Sequence, residues 1–391
     1  MRVYSAADEE ALRARRLLKD WAGEGFLTPE QYQRMEKETA CDLRTTNIFL
    51  RLLLFLFTVI IVGAGVGLFF MVFTSGSSEQ TTGVLFLIFA AVAYAAAELS
   101  VSQFRFYRYG IEEALAACSV GFLSLGLALP ADVDGRWLVP AVGAASSLWI
   151  WRRFGLAYAF LAAMVFVAFL PGHWTSSHPA QHLIVVGFYA AGLAGVAAVR
   201  SRHRYDYLNN EWSFAEAALW LGLYLAINLR LSLALPARWW GFAAATTEFP
   251  RAFYWTTWVL IWCLPPIVLA RGVRRKDRFV IAVGAIVAIL TLVSNKPYLG
   301  WPPHTWDPML LGAFLIGVAV LVRQWLARRQ GGIRRGFTAE RLSGKHKEWM
   351  NAGGVAAGLV AHETIAPVPQ PAPEFRFGGG DSGGGGASSD F

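Results

Sequence analysis

The chain has 391 residues, of which 55% are hydrophobic and 16% charged, with 16 Trp and a formal net charge of +8. A soluble domain carries about 25% charged residues, and its core could not hide this much apolar surface, whereas lipid can. The composition excludes an ordinary soluble enzyme, and the three cysteines are too few and too scattered for a disulfide framework. The cations sit at the ends of apolar runs, which assigns them to membrane flanks and argues against nucleic-acid binding.

In chain order, the first 46 residues are polar and hold no short apolar stretch of a cleavable signal peptide. They read as a cytoplasmic helical hairpin. Residues 7–23 repeat apolar side chains at helical spacing, Leu12, Leu17, Leu18 and Trp21, and Gly23 and Gly25 end the helix. Thr28-Pro29-Glu30-Gln31 begins a second helix: Thr28 suits the cap, Pro29 the first position, and Gln31 completes a capping box. A hairpin this short buries too little to be stable alone, so it needs a surface to pack on. The stretch Trp21-Ala-Gly-Glu-Gly-Phe-Leu-Thr-Pro-Glu-Gln31 resembles the start of a bacterial membrane family, the one known as domain of unknown function 2157. The resemblance implies a hairpin ahead of a many-span region in a bacterial inner membrane; it brings no activity and no functional residues with it.

Ten apolar runs follow: 48–73, 82–100, 111–129, 137–151, 154–170, 181–199, 212–235, 252–270, 279–294 and 308–326. At 1.5 Å per residue a span of about 30 Å takes about 20 residues, so the fourth and fifth runs are short. Every second connection is basic, strongest in Arg271-Gly-Val-Arg-Arg-Lys-Asp-Arg278, while Ala131–Gly135 is acidic and Pro171–Ala180 lacks Lys and Arg. Positive-inside bias then predicts an all-α polytopic bundle of about ten spans, residues 47–327, with both termini cytoplasmic. Gly63 and Gly67, and Gly187, Ala191 and Gly195, are expected to let helices of the bundle approach closely, or to form a dimer face. Pro265-Pro266 is expected to break or kink the eighth span and to leave carbonyls that a neighbour or water must satisfy. Residues 328–391 form a tail, with a basic amphipathic stretch at 337–350, alternating prolines at 367–373 and a Gly/Ser-rich end expected to be disordered.

Ionisable groups inside spans are the first candidates for function. Glu98, with Glu112 and Glu113, is expected to pair with Arg105 and Arg108 at the cytoplasmic interface, and Glu216 with Arg204. Glu216, Asn228, Thr256 and Thr257 could line a polar path. His173, His178 and His182 lie close enough in sequence to bind zinc or copper, although no Cys or acidic residue completes the set; interfacial histidines are the alternative. On the external side, Trp239, Trp240, Trp301, His304, Trp306 and Asp307 could form a surface site, or the tryptophans an aromatic belt. No cofactor motif is present: GxxxxGK[ST], HExxH and CxxC are all missing. Three functions remain open: a non-enzymatic membrane protein whose hairpin or tail recruits a protein partner and whose basic loops meet anionic headgroups; a transporter or flippase for a lipid-like or neutral solute; or an enzyme acting on lipid-linked substrates at the external face.

Overall fold

The computed structural model describes residues 2–23, 25–73, 78–132, 135–202, 209–231, 249–302 and 304–328, with the short pieces 333–334 and 337–338. The described fold is helical. Two short helices, α1 (Ala6–Gly23) and α2 (Pro29–Glu38), precede α3 (Ile48–Phe73), α4 (Glu79–Ser102), α5 (Ile111–Ala128), α6 (Leu138–Phe154) and α7 (Ala157–Phe169). Then come α8 (His178–Arg202), α9 (Asn209–Ile227), α10 (Arg251–Arg275), α11 (Arg278–Tyr298) and α12 (Asp307–Ala327). Seven of these, α3, α4, α5, α8, α10, α11 and α12, are long and apolar enough to cross a membrane. The chain divides into two compact units, 1–318 and 319–391, and the division falls inside α12. In the second unit, Ile333–Arg334 pairs antiparallel with Phe337–Thr338; the predicted amphipathic and Pro/Gly-rich tail beyond lies outside the described residues.

Each of the ten predicted apolar runs contains a helix. The fourth and fifth fall short of the span length: α6 has 17 residues and α7 has 13 before a 3-10 turn, Leu170–His173. The seventh departs from its predicted range. Helix α9 stops at Ile227, and Asn228 interrupts the run. The interruption is saturated: the Asn228 side-chain oxygen accepts from the Leu231 N–H at 3.2 Å, and the Leu229 N–H donates to the Tyr298 hydroxyl at 2.8 Å. An apolar environment admits such a gap only where side chains replace the lost backbone bonds. The predicted continuation, residues 232–235, lies outside the described residues.

Pro265 and Pro266 do not break the eighth predicted span, because α10 runs through them from Arg251 to Arg275. Pro265 has no N–H for the carbonyl of Ile261, four residues earlier. The Thr291 hydroxyl on α11 stands 3.0 Å from that carbonyl and supplies the missing donor.

Two cores form in the first unit. One joins α7 through α11 around Ile261, Val268, Val280, Val287 and Tyr224, all essentially inaccessible to solvent. The other joins Tyr4 and Leu12 of the N-terminal segment to α4, α5, α6 and the start of α7, through Ala97, Ala116, Ile150, Phe154 and Ala159. The hairpin is thus packed on the helices that follow it. Helices α3 and α12 bury no residue and are peripheral.

The small-residue stripes do not serve packing within the chain. A side chain at Gly63, Gly67, Gly187 or Gly195 would meet nothing within 4 Å, and Ala191 is exposed. The close contact of α8 is made instead by Gly192, where an added Cβ would come within 3.1 Å of Leu219 on α9. Four-residue spacing puts small residues on one side of a helix but leaves open which side faces the bundle.

Candidate functional site

Helix α9 carries the densest polar chemistry. Its buried polar residues Glu216 and Tyr224, eight apart, and Asn228 four beyond, just past its end, fall on the face turned to α10 and α11. Glu216 and Asn228 stand about 18 Å apart along the helix axis, at 1.5 Å per residue.

The lower group is ionic. Glu216 is fully buried, and three arginines from two helices converge on it: Arg200 of α8 at 2.7 Å, Arg271 of α10 at 2.5 Å and Arg275 of α10 at 3.2 Å. Arg200 also stands 2.6 Å from Asp277, an ion contact without hydrogen-bond alignment. Asp277 caps α11, its other oxygen accepting from the N–H groups of Phe279 and Val280 and from the Ser213 hydroxyl of α9. Burial pushes the Asp277 carboxyl up, but the Ser213 hydrogen bond and the nearby Arg200 guanidinium outweigh it and hold the group below the ordinary aspartate value.

The turn that places these groups is set by its backbone. Lys276 takes a left-handed conformation (φ 54°) and ends α10, and the Asp277 N–H closes on the Gly272 carbonyl at 3.0 Å. Gly272 is required because a Cβ there would meet the Ile281 backbone at 2.8 Å. The basic loop of the sequence is therefore a two-residue corner that delivers two of its cations inward.

The upper group is neutral and directional. Asn228 Nδ2 donates to the Tyr224 hydroxyl at 3.0 Å and to Ser294 Oγ at 2.8 Å. Tyr224 meets Thr291 at 2.9 Å, and Thr291 reaches the Ile261 carbonyl that Pro265 leaves free. With Asn228 donating to Tyr224, the assignment that fits is Tyr224 donating to Thr291 and Thr291 to the carbonyl. Tyr298 accepts from Leu229 N–H and lies 3.4 Å from Thr257 Oγ1. Of the four predicted path residues, the structure brings Glu216, Asn228 and Thr257 to the α9–α10–α11 interface. Thr256 is exposed and bonds its own helix at the Ala252 carbonyl. Glu216 and Asn228 bond groups on neighbouring helices, and Thr257 bonds its own helix at the Tyr254 carbonyl beside Tyr298 of α11, which is chemistry suited to holding helices together.

A second polar group lies under the N-terminal segment. Arg2 bridges Glu9 of α1 at 2.6 Å and Glu211 of α9, and Glu211 also lies 3.8 Å from Arg108. Burial works against the Arg2 charge, but Glu211 and Glu9 outweigh it and hold the guanidinium above its ordinary range. Gly155 gives Arg2 its seat: the residue is left-handed (φ 70°), and a Cβ would come 3.1 Å from the guanidinium. The Val3 N–H donates to the Arg153 carbonyl, and the Tyr4 ring packs edge-on to Tyr107 at 4.8 Å. Burial first, and Glu112 next, push the Tyr4 phenol up. At the far end of the hairpin Arg44 exchanges two backbone bonds with Arg105 and Tyr107.

The expected pairing of Glu98, Glu112 and Glu113 with Arg105 and Arg108 does not form. Arg153 binds Glu98 through two donors at 2.7 and 3.0 Å, Arg51 binds Glu113, and Arg105 binds Asp42. Arg204, the expected partner of Glu216, lies outside the described residues; among those described, Glu216 pairs with Arg200, Arg271 and Arg275. Nothing in the local sequence around Arg2 signals its role, because its two carboxylates lie on different helices, one of them 209 residues away.

Among the described residues no group of three or more His, Cys, Asp or Glu could hold a metal ion. His173 and His178 are exposed, and the His182 ring bonds the Ala226 carbonyl at 2.8 Å. Between α11 and α12, Asp307 pairs with Lys296 and accepts from the His304 N–H, while His304 packs on Trp306 at 5.5 Å and Lys296 lies over the Trp306 ring. These contacts pin the connection between α11 and α12; Trp301 is exposed nearby, and Trp239 and Trp240 lie outside the described residues. Compared with known protein-family models, characterised proteins and solved structures, the chain matches none.

Proposed function

We propose that this chain is a non-enzymatic integral membrane protein that presents its N-terminal hairpin to a protein partner. The hairpin's own exposure carries the reading. One side of α1 is spent on docking, with Glu9, Leu12 and Leu18 buried. The other side and the following turn leave Leu17 51%, Trp21 45% and Phe26 70% exposed, and Met35 of α2 is 41% exposed. Large apolar side chains outside the apolar spans have no lipid to cover them, so their exposure marks a contact surface. The hydrogen-bonded chain from Asn228 through Tyr224 and Thr291 to the Ile261 carbonyl supports the same reading, since it ties these helices into a fixed platform. A photo-crosslinking residue at Phe26 is expected to capture a protein adduct in native membranes, and one at buried Leu12 is not. Equal capture at both positions, or at neither, refutes the proposal.

The arrangement of ten spans with both termini in the cytoplasm of a bacterial inner membrane belongs to this proposal. It is supported by the alternation of basic and cation-poor connections and by a helix in every predicted run. A reporter fused after Gly331 should read cytoplasmic and one inserted at Ser176 external; the reverse pattern overturns it.

A further inference from the structure

We infer that the corner between α10 and α11 holds the phosphate of an anionic lipid headgroup, with Arg271 and Arg275 sharing their donors between Glu216 and that phosphate. The inference rests on the membrane reading above and gives its headgroup contact a site. Three features on the molecule point to it.

The first is charge. Six cations, Arg200, Arg271, Arg274, Arg275, Lys276 and Arg278, stand at this corner against two carboxylates, Glu216 and Asp277. The nearest further carboxylate on α9, Glu211, is engaged by Arg2 and Arg108. Among the described residues the corner therefore keeps a surplus of positive charge, and the matching ligand is an anion.

The second is donor geometry. Arg271 and Arg275 are four residues apart on α10, so they share a face. A guanidinium has five N–H donors in a fixed fork. Arg271 gives Glu216 only its Nε, and Arg275 only one terminal nitrogen. Their side chains are 30% and 38% exposed, which leaves room on that face for a ligand to meet the remaining donors. Paired guanidinium forks recognise the oxygens of phosphate.

The third is the surroundings. Val273 within the same corner and Ile267 one turn above Arg271 are exposed apolar side chains, 38% and 54%. A free anion has no use for an apolar border, whereas a lipid lays its chains along one. Arg274, Lys276 and Arg278 are exposed around the corner and add general attraction to an anionic surface.

Native mass spectrometry of the detergent-solubilised full chain tests this with three additives: phosphatidylglycerol, phosphatidylcholine and inorganic phosphate. Phosphatidylglycerol should survive as a bound adduct, with phosphatidylcholine, whose phosphate is the same but whose quaternary ammonium is repelled by the cations of the corner, retained about tenfold less. The double variant Arg271→Gln/Arg275→Gln should lose the preference, and Arg274→Gln, whose side chain does not touch Glu216, should keep most of it. Arg275→Lys preserves charge and removes the fork, so its retention should fall between the two. Equal retention of phosphatidylglycerol by wild type and the double variant, with both folded by thermal unfolding, overturns the site. Inorganic phosphate at millimolar concentration displacing the lipid completely overturns the lipid as its occupant. Partner capture at Phe26 does not depend on this corner, so the two proposals fail separately.

Discussion

Glu216→Leu is expected to lower the thermal unfolding temperature by about 10 °C, the largest effect of any single substitution in the membrane-embedded part. Among the described residues Glu216 is the only carboxylate that Arg271 and Arg275 touch, and one of two that Arg200 touches. Its removal leaves three guanidinium groups converging on an apolar side chain. Breaking a buried ion pair by deleting one partner costs about 3–5 kcal/mol, because the survivor is left charged and uncompensated. In a domain of this size each kcal/mol moves the midpoint by roughly 2–4 °C. The substitution also separates hub from spoke. Arg271→Met removes one of three cations, and that cation is 30% exposed, so screening limits its loss to about 1 kcal/mol or less. A loss for Arg271→Met equal to that for Glu216→Leu, measured by thermal unfolding in one detergent, refutes the convergent arrangement.

How much of this was legible in the sequence follows from the range of the physics involved. Helix positions were readable because an apolar run of given length has few alternatives in lipid, and the capping box at Thr28 and Gln31 forms with both reciprocal bonds. Both depend on neighbours a few residues apart. The ion pairs were not readable. Glu98 lies seven residues from Arg105 in sequence yet pairs with Arg153 on α6, since two side chains near the same membrane boundary meet only if their helices are adjacent. The same limit hid the proline compensation. The sequence shows that Pro265 frees a carbonyl, but only the packing of α11 on α10 shows that Thr291 fills it. Glycine spacing failed for a related reason, because a stripe marks a face without saying what lies opposite.

Arg2→Ala is expected to undock the hairpin and leave the apolar helices folded. Glu9 is 2% exposed and Arg2 is its ion-pair partner, while Glu211 would keep only Arg108 at 3.8 Å. The loss of one cation strands a buried carboxylate and a half-compensated one, and undocking restores both to water. At about 3 kcal/mol, the lower end for an ion pair broken in this way, amide exchange in α1 should accelerate about a hundredfold, a tenfold change for each 1.4 kcal/mol. The unfolding midpoint should move far less than in Glu216→Leu, because the cores of α4–α7 and α7–α11 keep their own contacts. Arg2→Lys keeps the charge but cannot fork to two carboxylates, so its exchange should fall between wild type and Arg2→Ala. Unchanged protection of α1 in Arg2→Ala, measured by hydrogen–deuterium exchange, refutes the role of Arg2 as the fastening. The expected pattern, local release over an intact platform, makes the hairpin separable from the helices that carry it. A partner that gripped Trp21 and Phe26 would then pull against a docking whose ionic part is set by two carboxylates, one on the hairpin and one on α9.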